Sequence, residues 1–395
     1  MTKISDHASA QNPARGCEAV FPEKEYAARI AALQSRIMAE NVEALLLTGP
    51  ENIFWATGRQ TAGYFAFQAL LVPAHGAPHL LVRELERTNA IAATWLTGIS
   101  TWQDAEDPVQ ILSDMIMQAG IRKLAHERTG WFVSPDLNDR ITDALHIVAL
   151  TDGSGWVEDL RIVKSPLELS AIRRAAGYAQ AGLVAAIDRC GAGVSENDIA
   201  ATMIAAAITA GSEAMAMEPL ISSGPRSGIP HATWRRRVLE KGDGVFLELA
   251  GSHDRYHAAL MRSVWIGQPP KRAQAMMDTA ERALDAALAA MVPGMPCANA
   301  HLAAQTVIDS AGYTAAFRKR IGYSMGVAFA PDWGEGAILS LFSDVDRVLE
   351  PGMVFHLPAT LRSYGTFTVG ASETVIVTTT GVEPLSDLPR QITVR

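Results

Sequence analysis

The chain has 395 residues, 48% of them hydrophobic, and a formal net charge of -8 at pH 7. That length exceeds what one hydrophobic core covers and predicts about two domains. Lysines and arginines are scattered apart from Arg235 to Arg237, so no basic stripe matches a phosphate backbone and no nucleic-acid partner is expected.

The leading stretch, MTKISDHASAQNPARG, is polar, and no window of the chain approaches the roughly 18 apolar residues of a membrane span. No membrane association is expected. Next, FPEKEYAARIAALQSRIMAENVEALLL spaces its apolar residues as a helix and passes through Asn41 into a buried strand. ALLVPAHGAPHLLV holds two apolar runs around a Gly/Pro loop, and KLAHE and HIVAL read as further strands. Residues 1–158 therefore form an α/β domain.

The second domain, 159–395, opens with a strong helix start. Ser165 is the N-cap, Pro166 the first helical residue and Glu168 the capping-box partner. Ser195 and Asp198 repeat the pattern before IAATMIAAAITAG. KRAQAMMDTAERALDAALAAMV and ANAHLAAQTVIDSAGY form another helix pair. The strands GVFLELA, YHAALMRSVWIG, GMVFHL and TFTVGASETVIVTT lie between and after the pairs. Two helix pairs with strands predict an α+β layer, a curved antiparallel sheet covered on one face. Cys17, Cys190 and Cys297 are odd in number and far apart, which suits a reducing, cytoplasmic setting and implies no disulfide framework.

Several polar residues stand in apolar surroundings. Glu248 shares a strand face with Phe246 and Ala250. Desolvating a lone carboxylate raises its pKa or costs several kcal/mol, so Glu248 is either functional or paired with an arginine such as Arg262. Glu373 enters a β-branched strand in the same way. His231 lies in the loop SSGPRSGIPHATWRRR, and a loop histidine is suited to moving a proton near neutrality. His253 and His257 flank a turn expected to be exposed. Arg226, or one of Arg235 to Arg237, is a candidate anchor for a substrate carboxylate.

In order, LRIVKSPLELSAIRRA, SSGPRSGIPHA, LEPGMVFHL and GASETVIVTTTG resemble the segments of the pita-bread superfamily, which contains methionine aminopeptidase, Xaa-Pro peptidases and creatinase. The resemblance implies an α/β domain, a pita-bread catalytic domain and a homodimer in which the first domain of one subunit covers the active site of the other. Its metallopeptidases hold two metal ions with two Asp, one His and two Glu. Matched to those motifs, the positions here are Glu248, Ala259, Tyr323, Pro358 and Glu373. Two acids do not hold a dinuclear centre, so no metal and no other cofactor is expected.

With Tyr323 at the histidine position, PDWGE after the glycines and GMVFHLPATLR in place of a Glu-Pro ending, the chain is most similar to the metal-free ectoine hydrolase branch. That implies opening of the cyclic amidine ring of ectoine, and of 5-hydroxyectoine, to N-acetyl-2,4-diaminobutyrate. Glu248 is expected as nucleophile or general base, His231 as proton shuttle, Glu373 as holder of the positive charge and Tyr323 as donor to the tetrahedral intermediate. Trp234, Trp333, Glu335, His356 and Arg226 are expected around the substrate, with Tyr64 and Phe65 from the other subunit. A creatinase-type amidinohydrolase, a peptidase-like protein and a non-catalytic binding module are the alternatives.

Overall fold

The protein is described by a computed structural model over residues 13–395, so most of the polar leading stretch lies outside the described residues. Two compact units divide after Arg161, at the end of the helix in which the expected 158/159 boundary falls.

The first unit runs α1 (Glu23–Ala39), β1 (Ala44–Leu47), α2 (Pro50–Thr57), β2 (Ala69–Pro73), β3 (His79–Arg83), α3 (Arg87–Ala93), β4 (Gly98–Trp102), α4 (Pro108–Gln118), β5 (Lys123–His126), α5 (Pro135–Ala144), β6 (Ala149–Asp152) and α6 (Trp156–Arg161). Its strands form one mixed sheet in the order β4-β3-β2-β1-β5-β6. Helix α1 buries Tyr26, Arg29, Leu33 and Ile37, spacings of three and four that make one buried stripe, with Arg29 paired to Glu25. Strand β1 is buried at every residue, as a central strand with helices on both faces must be. Strand β4 was not anticipated, because GISTW is only partly buried at the sheet edge and carries no apolar alternation.

The second unit runs α7 (Pro166–Arg189), α8 (Glu196–Ala210), β7 (Leu220–Ser223), β8 (Gly244–His253), β9 (Tyr256–Trp265), α9 (Lys271–Ala290), α10 (Ala298–Ser310), β10 (Gly322–Ser324), β11 (Ser340–Leu341), β12 (Val354–Ser363), β13 (Phe367–Val377), β14 (Val382–Pro384) and β15 (Thr393–Val394). Both expected capping boxes form, Ser165 with Glu168 and Ser195 with Asp198. The strands make two sheets, β15-β9-β8-β7 and β11-β10-β12-β13-β14. All ladders are antiparallel except β15 with β9.

Side chains seam the sheets where β9 meets β13. Thr374 Oγ1 accepts from Ala259 N at 3.1 Å and donates to Ala259 O at 2.8 Å, and Ser263 Oγ bonds both backbone groups of Gly370. These hydroxyls satisfy buried backbone groups that no ladder reaches.

Each sheet buries one face under a helix pair. Val245, Leu247 and Leu249 pack with Leu183 and Met203, while Phe355, Leu357, Val369 and Val375 pack with Met276 and Leu284. Gly251 allows α7 this close, since a Cβ there would lie 2.2 Å from Ala175 O. Side chains alternate with period two, so odd residues of β8, β12 and β13 face helices. Glu248, His356, Pro358, Thr360, Arg362, Ser372 and Thr374 point to the other face, and that parity positions the site.

Candidate active site

Glu248 lies mid-strand in β8, opposite Met261 of β9 and Leu220 of β7. It is 7% exposed, and among the described residues no hydrogen bond to its carboxylate is found. Burial pushes its pKa up to about 7, against the pull of the positive charges on Lys319 and Arg362.

Those two cations went unnoticed in the sequence. Lys319 precedes β10 and its Nζ donates to the carbonyl oxygen of Pro358. Burial draws the ammonium down to about 7, while Glu248 pulls it back up and Arg362 adds to the fall. Arg362 lies on β12 and donates from Nε to Thr368 Oγ1 at 2.8 Å. Burial lowers its pKa, opposed by Tyr364 and Glu248. The signals were available: Arg362 is six residues beyond His356, hence on the same strand face, and Lys319 is four before Tyr323.

Tyr323 and His356 pair across β10 and β12. The Tyr323 hydroxyl accepts from Trp333 Nε1 at 2.9 Å and lies 2.9 Å from His356 Nδ1, and His356 Nε2 lies 2.7 Å from Ser372 Oγ. Burial, then Lys319 and Arg262, hold His356 down to about 3, so the ring is neutral. Burial and the Glu248 charge raise the Tyr323 phenol, which therefore keeps its proton. When His356 carries its proton on Nδ1, the phenol oxygen accepts twice and its own proton turns outward as a donor.

The structure thus joins Glu248, Tyr323, Trp333 and His356, but it corrects the reading of Glu373. Opposite Leu357 in the ladder, Glu373 shares that residue's helix-facing side. Its Oε1 accepts from Arg262 Nη2 at 2.9 Å and from Arg390 Nε at 3.1 Å, at 1% exposure. Arg262 is consequently the partner of Glu373, not of Glu248. The residue that shares the Glu248 face is Ser372. One residue of register inverts every side chain of a strand, and the motif match had slipped by one.

Other expected contacts are committed elsewhere. Glu335 is 3% exposed and bonded to Lys164 Nζ at 2.7 Å and to Ser324 Oγ. Arg226 binds Glu196, and its Nη2 donates to Thr233 O. Both hold their own loops, so neither is a free substrate anchor. Trp234 is half-buried against the α7/α8 core. His231 is exposed in a left-handed turn, with φ 54°, and among the described residues no hydrogen bond joins it to Glu248 or Tyr323. In the first unit, Tyr64 stacks edge-on with Phe132 at 5.6 Å and Phe65 is 80% exposed. The turn at His257 is not exposed: that side chain is fully buried, with Nδ1 on Arg255 O at 2.9 Å and Nε2 accepting from Ala216 N at 3.1 Å.

With the face corrected, the five ligand positions hold Glu248, Ala259, Tyr323, Pro358 and Ser372. This set offers one carboxylate, and it sits beside two cations. Hard divalent ions need several anionic oxygens, so these residues do not fit a dinuclear metal centre. Among the described residues no group of three or more His, Cys, Asp or Glu is placed to hold a metal.

Comparison with known proteins matches residues 170–379 to Metallopeptidase family M24 and residues 29–163 to the Creatinase/Prolidase N-terminal domain. The chain is 27% identical over 404 residues to an ectoine hydrolase of Halomonas elongata, covering 95% of this chain and 98% of that protein. It is 28% identical over 390 residues to an uncharacterized hydrolase/peptidase of Sinorhizobium fredii, at the same coverages. In fold it resembles the prolidase of Pyrococcus horikoshii OT3, with a TM-score of 0.83 at 20% identity over 92% of this chain and 99% of that one.

Proposed function

Because the chain belongs to Metallopeptidase family M24 and carries a creatinase/prolidase-type N-terminal domain, we propose that it is a metal-independent hydrolase that opens the cyclic amidine ring of ectoine, and of 5-hydroxyectoine. The observation that carries this reading is the grouping at Glu248 across the two sheets: a buried acid and a phenol at two of the five metal-ligand positions, with two cations beside them. Without a metal to polarise a neutral amide, the substrate must bring its own electrophile. An amidinium carbon is one, and a buried carboxylate is its natural counter-charge. The similarity to an ectoine hydrolase supports the same choice.

In this reading Glu248 takes a proton from water as the water oxygen bonds to the amidinium carbon. Tyr323 donates to that oxygen. Lys319, rather than His231, protonates the ring nitrogen as its bond to carbon breaks, and recovers a proton as the hydroxyl collapses to a carbonyl. The proton on Glu248 passes to the released amine, leaving N-acetyl-2,4-diaminobutyrate. The proposal includes a cytoplasmic homodimer in which Tyr64 and Phe65 reach the other subunit's site; the exposure of Phe65 supports that part.

The test is a substrate comparison among ectoine, 5-hydroxyectoine, creatine and a proline dipeptide. Turnover of the two ectoines above the others supports the proposal. Preference for creatine would place the protein among guanidinium hydrolases, and binding without turnover would make it a binding module.

A further inference from the structure

We infer that Arg362 is the specificity residue of this site, whose terminal guanidinium nitrogens bind a carboxylate of the substrate. The inference rests on the proposed function for the identity of the substrate, but its requirement for a carboxylate stands on the geometry of the arginines.

Five other arginines of this unit are held by partners of their own, whereas Arg318, which lies over the Tyr364 ring, is exposed. Arg262 donates to Pro389 O, Met261 O, Ser372 O, Leu388 O and Glu373. Arg226 is bound to Glu196, Arg237 is held at both ends of its fork by Asp243, and Arg390 bridges Glu373 and Asp285. Arg320 donates to Gly336 O and Ser340 Oγ.

Arg362 differs. Among the described residues it forms no ion pair: Nε donates to Thr368 Oγ1, which itself donates to Ser227 O at 2.6 Å, and its other side-chain partner is the neutral Tyr364 hydroxyl. Thr368 thereby fixes the stem of the guanidinium and leaves the two terminal nitrogens without a carboxylate. The ring of Tyr364 lies 6.0 Å from the guanidinium carbon and flanks it. A half-buried guanidinium held by Nε presents the planar pair of donors that matches a carboxylate. Glu248 shares this face and feels the Arg362 charge, yet the two make no ion pair with each other. A zwitterion whose cation meets Glu248 and whose carboxylate meets Arg362 satisfies both at once.

The experiment compares ectoine with its carboxylate-free analogue 2-methyl-1,4,5,6-tetrahydropyrimidine, and creatine and Ala-Pro with their carboxamides. Each is given to the wild-type protein, R362Q and R362K, with kcat and KM measured and binding measured by calorimetry. Losing a charged partner of this kind predicts that R362Q raises KM for the carboxylate substrate by about 30-fold or more. The preference over the neutral analogue then collapses toward unity, with R362K between. That ratio does not depend on the fraction of correctly folded variant. An unchanged preference in R362Q, or a wild-type protein indifferent to the carboxylate, overturns the inference. Turnover of Ala-Pro or creatine in place of ectoine, with the dependence on Arg362 intact, overturns the proposed substrate and leaves the inference standing. Binding of none of the three overturns both.

Discussion

Glu373 lies 2.9 Å from Arg262 on the helix-facing side of the sheets, while its neighbour Ser372 turns to the face that holds Glu248. Glu373 also meets Arg390, at 3.1 Å. Removing the acid leaves the fully buried Arg262 uncompensated, which costs about 3 to 5 kcal/mol in comparable buried pairs. Glu373→Ala should therefore lower the melting temperature by several degrees, yet retain kcat within a few-fold in the protein that remains folded. A variant that is thermally normal but inactive would return Glu373 to the chemistry.

Glu248→Gln preserves size and removes the proton acceptor. General bases contribute about 10²- to 10⁴-fold, so kcat should fall by at least about 100-fold, with an unchanged circular dichroism spectrum. Retention of more than a tenth of the wild-type rate would remove Glu248 from the mechanism.

Activity should peak in a narrow window around neutrality. The active form needs Glu248 ionised and Lys319 protonated, and burial brings both to about 7. Below that region Glu248 gains a proton and the rate falls; above it Lys319 loses one and the rate falls again. The two apparent values in a profile of kcat/KM belong to the pair. In Lys319→Met the alkaline fall should vanish. The acid limb should move upward, because a cation that lowers Glu248 is gone. A flat profile from pH 5 to 9 would contradict this.

The sheet face and its partners also explain which parts of the site were legible. Both capping boxes, the helix pairs and strands β8, β9, β12 and β13 follow from local signals, namely side-chain caps, periodicity and β-branched runs, whereas the short strands β7, β10, β11, β14 and β15 carry too few residues to show a pattern. Glu248 was legible because a lone acid in an apolar strand has few structural explanations. Glu373 looked equivalent because burial alone does not say which side of a sheet a residue faces, and only the Leu357 register revealed it. Lys319 and Arg362 were hidden for another reason. Long cations near strand ends usually reach solvent, and that these turn toward Glu248 is a tertiary fact. His257 was misplaced because the turn beside it, at Asp254 and Arg255, is polar, whereas its own ring lies beneath backbone groups of Ala216 and Arg255.

That ring should make the fold acid-sensitive. Burial holds His257 down to about 4, below the 6.5 of a free histidine. Between those values the unfolded chain binds a proton that the folded one does not, so the contribution is complete above pH 6.5 and lost as pH falls through 4. It amounts to about 3 kcal/mol. In urea unfolding, the wild-type protein should exceed His257→Gln in stability at pH 7, and the gap should narrow toward pH 4. A gap that does not change with pH would show that His257 does not titrate in this way.

The most direct test of the account is ring opening by protein treated exhaustively with a chelator and then given ectoine, with products followed by mass spectrometry. The account predicts N-acetyl-2,4-diaminobutyrate at a rate unchanged by chelation or by added divalent metal. Absence of that product, together with cleavage of a proline dipeptide that appears only when metal is restored, would contradict it.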